Sequence, residues 1–193
     1  MSQRGFAKLY PHDYVMRATV VPFVPRWMLP NHITMFRMVL TPFVIWLLFL
    51  GEYRFGIPLF VLAAFSDILD GSVARIRQQI TPWGIFFDPV ADKCLVGGVA
   101  LTVALQYFHP ILVFVAIALD LLPAMVFLAR KDAAGQMMMA NVWGKAKMVL
   151  QVSALLALLI GISMDSGNFV ILGEGILGVS LIFALIAVVT YSL

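Results

Sequence analysis

The sequence predicts an all-α integral membrane protein, with six transmembrane helices preceded by an N-terminal amphipathic helix at the membrane interface. Its residues are 62% hydrophobic and only 12% charged, whereas soluble domains carry about 25% charged residues. The mean hydropathy is +0.98, and several apolar runs approach or exceed the ~20 residues that cross a bilayer as a helix. Glycine and proline are scattered through these runs, as transmembrane helices tolerate. A soluble fold is therefore excluded.

The segment before the first apolar run is expected to lie along the membrane surface. Residues 1–32 mix apolar side chains with Arg17 and Arg26 and are interrupted by prolines. This pattern suits a short amphipathic helix in the headgroup layer, with Trp27 at interfacial depth. An irregular N-terminal arm is the alternative. No cleavable signal peptide is evident, because charges and prolines replace its short apolar core.

Six transmembrane spans follow and form a six-helix bundle over residues 33–193, within a single domain over residues 1–193. They are expected at residues 33–50, 56–75, 83–108, 110–129, 144–164 and 169–191. Basic residues precede the first span and lie between spans two and three and between spans four and five. The positive-inside rule therefore places both termini and these loops in the cytoplasm, in a membrane of the prokaryotic cell-membrane type.

Four of the ten acidic residues lie in the second and third spans. Asp67 and Asp70 are three residues apart and Asp88 and Asp92 are four apart, so each pair projects from one face of its helix. A short loop makes these helices antiparallel neighbours, and the pairs can converge near the cytoplasmic end. Four carboxylates there would repel one another unless cations compensate them. Oxygen ligands favour hard cations such as Mg²⁺, and four carboxylates suit a two-metal centre that holds a phosphoryl group.

Small residues and an arginine lie between the acid pairs. Gly71, Ala74 and Gly84 allow backbones to approach closely, or leave space for a phosphate-bearing ligand. Arg75 supplies a fixed positive charge suited to bidentate contact with phosphate. Plain helix packing is the simpler reading of either glycine taken alone.

The acidic residues could instead form a buried ion-pair network or line an ion pathway. The network would join Asp67, Asp70, Arg75 and Lys93, although four acids against two bases leave charge uncompensated. The pathway would belong to a cation or proton transporter, since intramembrane aspartates often mark such routes. Transporter sites usually lie near the midplane within repeated halves, whereas these acids cluster on one side of a chain without a visible repeat.

The eight spaced residues of this region together resemble the signature of the CDP-alcohol phosphatidyltransferase family. The pattern reads Asp67-x2-Asp70-Gly71-x2-Ala74-Arg75-x8-Gly84-x3-Asp88-x3-Asp92. The expected interfacial helix and six spans agree with that family over essentially the whole chain. The resemblance implies transfer of a phosphatidyl group from a CDP-linked lipid to an alcohol, with release of CMP.

The resemblance also implies roles for individual residues. The four aspartates would hold two divalent cations, Mg²⁺ or Mn²⁺, and Asp92 would also be the general base that activates the attacking hydroxyl. Thr34 matches the threonine that follows the family's Pro-Asn turn, and Asn31 is independently expected to N-cap the first span. The positions that match the family's CDP-lipid contacts are Met28, Leu29, Pro30, Asn31, Gly71, Ala74, Arg75, Thr81 and Gly84.

The acceptor alcohol is expected to be small and phosphorylated. Lys145 and Lys147 begin the fifth span, and Arg130 and Lys131 precede it. A basic pocket of this kind favours glycerol 3-phosphate or an inositol phosphate over uncharged alcohols. Ordinary positive-inside residues that face lipid headgroups are the structural alternative.

Residues 88–93 and 144–147, followed by Gln151, look most like family members that take glycerol 3-phosphate. Those members usually carry an Arg-Glu pair in the fourth span, where this chain has Leu119 and Asp120. Asp120 inside an apolar span is itself a candidate acceptor-binding residue. Members that take inositol phosphate, or that form cardiolipin from a lipid alcohol, are the alternatives.

The expected partners follow from this chemistry. They are CDP-diacylglycerol, the acceptor alcohol and membrane lipids, with no nucleic acid. A homodimer is expected because members of the family usually dimerise.

Overall fold

Every regular element in the described part of the chain is helical. The computed structural model describes residues 11–25, 27–107, 114, 118 and 142–192. In chain order the elements are α1 (Pro11–Thr19), a 3₁₀ turn (Val21–Phe23), α2 (Pro30–Phe49), α3 (Tyr53–Ile76), α4 (Pro82–Tyr107), α5 (Val142–Ser163) and α6 (Gly167–Ser192). The all-α class is therefore confirmed for these residues.

Five of the six predicted spans coincide with long helices. The ends of α2, α3, α4, α5 and α6 differ from the predicted ends of spans one, two, three, five and six by at most three residues. The remaining span, predicted at residues 110–129, lies outside the described residues apart from two positions.

Four of the described helices are long and apolar enough to cross a membrane. They lie at Pro30–Phe49, Tyr53–Ile76, Ala146–Ser163 and Gly167–Ile186. The helix α4 carries Asp88, Asp92 and Lys93 in its first half. The protein is thus an apolar helical membrane protein, and the count of six spans stays a prediction.

The helix α1 is short and amphipathic. Asp13 and Met16, three residues apart, are buried, whereas Tyr14 on the opposite face is exposed. Phe23 and Trp27, which follow the helix, are 84% and 72% exposed. Exposed aromatic side chains beside a short helix are typical of segments that lie in the headgroup layer. Residues 11–19 of the N-terminal segment are therefore helical, and the depth of this helix in the membrane stays a prediction.

The ends of α2, α3 and α5 share one geometry. The second residue after each helix has a left-handed backbone: Gly51 with φ 78°, Gln78 with φ 53° and Asp165 with φ 50°. The next N–H then bonds to a carbonyl five residues back, at 2.8–2.9 Å. Glycine adopts this conformation without steric cost, whereas glutamine does not. The end of α3 therefore holds a strained residue close to Arg75.

The described residues form two compact units, and each of them combines two segments of the chain. One lies within residues 1–46 and 58–95, and the other within residues 47–57 and 96–193. The first unit contains α1, most of α2, and the parts of α3 and α4 that carry the four aspartates. The single domain expected over the whole chain stays a prediction.

In the second unit, α5 and α6 approach each other closely at glycines. A Cβ added at Gly161 would lie 2.8 Å from the backbone nitrogen of Val170, and one added at Gly173 would lie 3.0 Å from the carbonyl oxygen of Ala154. Small residues at such crossings let membrane helices pack backbone to backbone.

Candidate functional site

The four aspartates lie on two helices of the first unit. Asp67 and Asp70 lie in the second half of α3. The Asp70 residue is only 3% exposed, and the Asp67 side chain is 19% exposed. Asp88 and Asp92 lie in the first half of α4, and both are half-buried. Because of the helical repeat, each pair shares one face of its helix.

A single hydroxyl group joins α3 and α4 to α2. Thr34, which is 1% exposed, places Oγ1 3.0 Å from Asp70 Oδ2 and 2.8 Å from Asp88 Oδ1. The same oxygen lies 3.4 Å from the carbonyl of Pro30. A hydroxyl carries one hydrogen, so it can donate to only one of these acceptors at a time. The fold therefore brings two carboxylates within two hydrogen-bond lengths of each other and leaves negative charge that this hydroxyl does not neutralise.

Arg37 lies one turn after Thr34 on α2 and provides positive charge beside the same cluster. Its side chain is 0% exposed, its Nη1 forms an ion pair with Asp67 Oδ1, and its Nη2 donates to Asp70 Oδ2 at 3.2 Å. Within the described ranges, its Nε has no hydrogen-bond partner. Buried charges of this kind are tolerated only when they are paired. Arg37 thus pairs with Asp67 and Asp70, although the ion-pair network considered from the sequence did not include it.

Arg75 pairs with α1. Its Nε donates to Asp13 Oδ2 at 2.8 Å and its Nη2 to Asp13 Oδ1 at 2.9 Å. A Cβ added at Gly71, one turn earlier, would lie 3.2 Å from Arg75 Nη1. The guanidinium group thus passes close to the backbone of α3 at Gly71 and is held at its other edge by a carboxylate.

The first turn of α2 meets the connection between α3 and α4. Thr81 Oγ1 donates to Asn31 Oδ1 at 2.8 Å and accepts from the Gly84 N–H at 3.0 Å. A Cβ added at Gly84 would lie 3.3 Å from Thr81 Oγ1, 3.4 Å from Asn31 Oδ1 and 3.5 Å from Asp88 Oδ2. The predicted N-cap role of Asn31 is wrong, because α2 begins at Pro30 and the Asn31 side chain bonds across to Thr81.

The other positions matched to CDP-lipid contacts surround this junction. Pro30 is the first residue of α2, Leu29 before it is 42% exposed, and the Met28 carbonyl accepts from Arg77 Nη1 at 3.0 Å. Ala74 is half-buried on α3, directly before Arg75. Their contacts with a CDP-linked lipid stay predictions.

The candidate acceptor residues lie elsewhere in the chain. Asp120 and Arg130 lie outside the described residues. Lys145 and Lys147 are in the first two turns of α5, and Lys147 is half-buried. Their proposed meeting in one basic pocket therefore stays a prediction.

The acidic cluster fits a hard divalent cation by the chemistry of its donors. Carboxylate oxygens are the ligands that Mg²⁺ and Mn²⁺ prefer, and Asp70 and Asp88 already converge on one point. Among the described residues, however, no three Asp, Glu, His or Cys side chains are close enough to hold an ion together. Arg37 and Thr34 contact the oxygens that a cation would use, so those contacts would have to rearrange on binding.

Two residues of this site were missed by sequence reasoning. Arg37 has a signal, because it is a lone charge inside an apolar span and lies on the same helix face as Thr34. Asp13 has a weaker one, a carboxylate on the buried side of an amphipathic helix, and it is 62 residues from Arg75 in sequence. Only the fold shows that the two side chains meet.

Comparison with known proteins matches residues 27–191 to the profile described as CDP-alcohol phosphatidyltransferase. A protein of Pectobacterium atrosepticum named CDP-diacylglycerol--glycerol-3-phosphate 3-phosphatidyltransferase is 34% identical over 139 residues, which cover 68% of this chain and 76% of that protein. A protein of the same name from Rickettsia typhi is 41% identical over 76 residues, covering 38% of this chain and 43% of that protein. A Drosophila melanogaster protein named probable cardiolipin synthase (CMP-forming) is 36% identical over 75 residues, covering 38% of this chain and 23% of that protein.

The last two matches span less than half of each relative, whereas the Pectobacterium match and the family profile extend over most of this chain. The profile covers α2, α3 and α4 completely, and with them the four aspartates, Thr34 and Arg37. This chain belongs to the CDP-alcohol phosphatidyltransferase family.

Proposed function

We propose that this protein transfers the phosphatidyl group of CDP-diacylglycerol to glycerol 3-phosphate and releases CMP, as a step of phospholipid synthesis. The observation that carries the proposal is the junction of α2, α3 and α4, where Thr34 contacts both Asp70 and Asp88. This junction lies inside the segment that matches the family. The names of the Pectobacterium and Rickettsia relatives support glycerol 3-phosphate as the acceptor.

The reaction is a displacement at phosphorus. The hydroxyl oxygen of the acceptor attacks the phosphorus that carries the diacylglycerol, the bond from this phosphorus to the oxygen of the CMP phosphate breaks, and CMP leaves with the bonding electron pair. The hydroxyl proton goes to Asp92, which we assign as general base. Asp92 is one helical turn after Asp88 on α4 and half-buried, so it borders the junction without being sealed from it.

The cluster would hold two divalent cations, Mg²⁺ or Mn²⁺, through Asp67, Asp70, Asp88 and Asp92. Bound there, they would neutralise charge on the pyrophosphate and make CMP a better leaving group. The chain itself supplies a buried guanidinium, Arg37, and a buried hydroxyl, Thr34, on the α2 side of the same carboxylates. These two groups keep Asp67, Asp70 and Asp88 in place because each contacts at least two of the cluster's carboxylates.

The nucleotide end of the substrate would lie near Gly71, Arg75, Thr81 and Gly84. Arg75 is suited to phosphate because its planar guanidinium can donate two parallel hydrogen bonds. Gly84 lacks a side chain where Asn31, Thr81 and Asp88 come within 3.5 Å of the position a Cβ would take, so a side chain there would press on these three polar groups.

The acceptor would be bound by Arg130, Lys145 and Lys147, because a phosphorylated alcohol is attracted to basic side chains. Asp120 would accept a hydrogen bond from a hydroxyl group of the same alcohol. A second acceptor has one observation in its favour. The Drosophila relative is named a CMP-forming cardiolipin synthase, and an enzyme of that kind takes a lipid alcohol. The same reaction at phosphorus serves either acceptor.

We also propose that the site faces the cytoplasm and that the protein is a homodimer. Arg75 and Arg77 at the end of α3 carry the positive charge that favours the cytoplasmic side. A cysteine placed at exposed Gln78 in a Cys94→Ala background would test this, since a membrane-impermeant maleimide should label it only after the cells are opened. Labelling of intact cells would place the loop outside. Mass measurement in mild detergent tests the dimer.

The decisive experiment measures CMP release by purified protein in detergent with CDP-diacylglycerol and Mg²⁺. The acceptor panel contains glycerol 3-phosphate, inositol phosphate, inositol, serine and phosphatidylglycerol. We expect release with glycerol 3-phosphate, and loss of release when EDTA removes the cations. Release with phosphatidylglycerol alone would favour the cardiolipin alternative. No release with any acceptor, together with ion flux in liposomes, would favour a transporter.

A further inference from the structure

The ion pair between Asp13 and Arg75 links α1 to the nucleotide side of the site. It is a two-point contact, with both Asp13 oxygens accepting from one edge of the guanidinium at 2.8 and 2.9 Å. Two-point pairs fix the orientation of the guanidinium plane as well as its position. Asp13 is therefore able to set the orientation of the Arg75 guanidinium.

Exposure shows which side of this pair is open. The Asp13 side chain is 0% exposed, whereas the Arg75 side chain is 23% exposed. A sealed carboxylate can serve only groups inside the fold, while the guanidinium it holds can be reached from outside. The contact with Asp13 involves two of the five N–H groups that an arginine carries, so it does not by itself exhaust the capacity of Arg75 to donate.

The place of Asp13 is fixed by further contacts between the N-terminal segment and the end of α3. Arg77, two residues after Arg75, donates to the carbonyls of Val24, Pro25 and Met28 at 2.6, 3.1 and 3.0 Å. These carbonyls lie in an irregular stretch, and backbone acceptors there need donors from elsewhere. The segment that follows α1 is thus attached to the same turn of α3 that carries Arg75.

The two terminal nitrogens of the guanidinium lie close to Gly71 of α3. A Cβ at Gly71 would lie 3.2 Å from Nη1 and 3.5 Å from Nη2 of Arg75. Arg75 therefore occupies the space beside Gly71 that a side chain there would take, and the Asp13 carboxylate holds another edge of its guanidinium. An arginine held in this way loses less conformational freedom when a phosphate binds, which strengthens binding.

From these contacts we infer that Asp13 is a positioning residue, which orients Arg75 for the phosphates of the CDP-linked lipid and makes α1 part of the nucleotide site. The match to the family profile begins at residue 27, so Asp13 lies in a segment that the profile does not describe. The inference rests on the proposed function, because that function supplies the phosphate ligand.

The test compares Asp13→Asn with Asp165→Asn in the CMP-release assay. Asp165 is exposed and has a left-handed backbone that asparagine adopts equally well. This matched control should therefore leave both kcat and the KM for CDP-diacylglycerol unchanged. We expect Asp13→Asn to raise KM for CDP-diacylglycerol by about tenfold, the size of one weakened charge-assisted contact. The KM for glycerol 3-phosphate and kcat should change less than twofold.

A second comparison asks whether Asp13 acts through Arg75. Arg75→Gln should raise the same KM, and Asp13→Asn should add little to it in the double variant. An unchanged KM in Asp13→Asn, a fall in kcat alone, or an equal effect of Asp13→Asn in the Arg75→Gln background would each overturn the inference. If Asp13→Asn does not fold, Asp13→Glu keeps the charge at a shifted position and should raise KM by a smaller factor.

Direct binding separates failure of the inference from failure of the proposed function. If the wild-type protein releases no CMP, binding of CDP-diacylglycerol to protein in lipid nanodiscs is measured instead. Weaker binding by Asp13→Asn than by wild type would then support the inference while the proposed transfer fails. Equal binding by the two, or no binding by wild type, would overturn it.

Discussion

Replacement of Arg37 by methionine is the sharpest test of how the acidic cluster is held together. The Arg37 side chain is 0% exposed and pairs with both Asp67 and Asp70. Methionine fills a similar space and adapts to irregular cavities, so Arg37→Met removes the charge with little change in packing. The variant leaves two carboxylates in place without their common partner.

The expected loss of stability in Arg37→Met follows from the burial of Arg37 and its two carboxylate partners. Breaking a buried ion pair by removing one partner costs about 3–5 kcal/mol, because the other charge is left uncompensated. Asp67 retains 19% exposure and keeps part of its hydration, so we take the lower end, about 3 kcal/mol. For a chain of this size, 1 kcal/mol corresponds to roughly 2–4 °C in Tm, and we expect Tm to fall by roughly 6–12 °C.

The assay is thermal unfolding in detergent with EDTA, followed by intrinsic tryptophan fluorescence. Arg54→Met is the matched control, because Arg54 is exposed, and its Tm should not move. Asp67→Asn alone should lower Tm by less than Arg37→Met does. The double variant Arg37→Met/Asp67→Asn should have a higher Tm than Arg37→Met, because it buries one uncompensated charge fewer. Addition of Mg²⁺ should restore part of the loss.

Two results would refute this reasoning. If Arg37→Met unfolds at the wild-type temperature, the buried guanidinium does not stabilise the cluster. If the double variant is less stable than Arg37→Met, the loss comes from packing and not from the uncompensated carboxylates.

Three further predictions concern the catalytic base, the space at Gly84 and the end of α3. Asp92→Asn should abolish CMP release in the acceptor assay while CDP-diacylglycerol still binds in nanodiscs; wild-type turnover by this variant would contradict the assignment of the base. Gly84→Ala should raise KM for CDP-diacylglycerol at least several-fold, because the new methyl would lie 3.3 Å from Thr81 Oγ1 and 3.4 Å from Asn31 Oδ1 and would displace this hydrogen-bonded pair; an unchanged KM would mean that the pair does not contact the substrate. Gln78→Gly should raise stability by about 1 kcal/mol, because it relieves a left-handed glutamine; a lower Tm would show that the Gln78 side chain has a stabilising contact.

The helices were predictable because their signals are local. Apolar runs between charged or glycine-containing segments gave the limits of α2 and α3 to within three residues. The i, i+3 and i, i+4 spacing of the aspartates likewise needed only the helical repeat to place each pair on one face. The spacing alone was compatible with either an enzyme or a transporter. The resemblance to the family then favoured the enzyme.

The partners of the charged residues were not predictable, because they depend on contacts between distant parts of the chain. Arg75 looked available for phosphate beside Asp70 and Gly71, yet its carboxylate partner is Asp13, 62 residues away. Arg37 lies 30 residues from Asp67, and no periodicity links the two. Asparagine is one of the preferred N-cap residues, but α2 begins at Pro30, before Asn31. The side-chain oxygen of Asn31 instead accepts a hydrogen bond from Thr81 Oγ1.

The described carboxylates differ in how well their negative charge is compensated, and this difference indicates where a cation would bind. Arginines pair with the carboxylates of α1 and α3, namely Asp13, Asp67 and Asp70. On α4, Asp88 is 2.8 Å from a neutral hydroxyl that also contacts Asp70, and among the described contacts Arg37 acts on Asp88 only at longer range. A hydroxyl cannot offset a full negative charge in a partly buried site. A divalent cation that enters the cluster would therefore gain most beside Asp88.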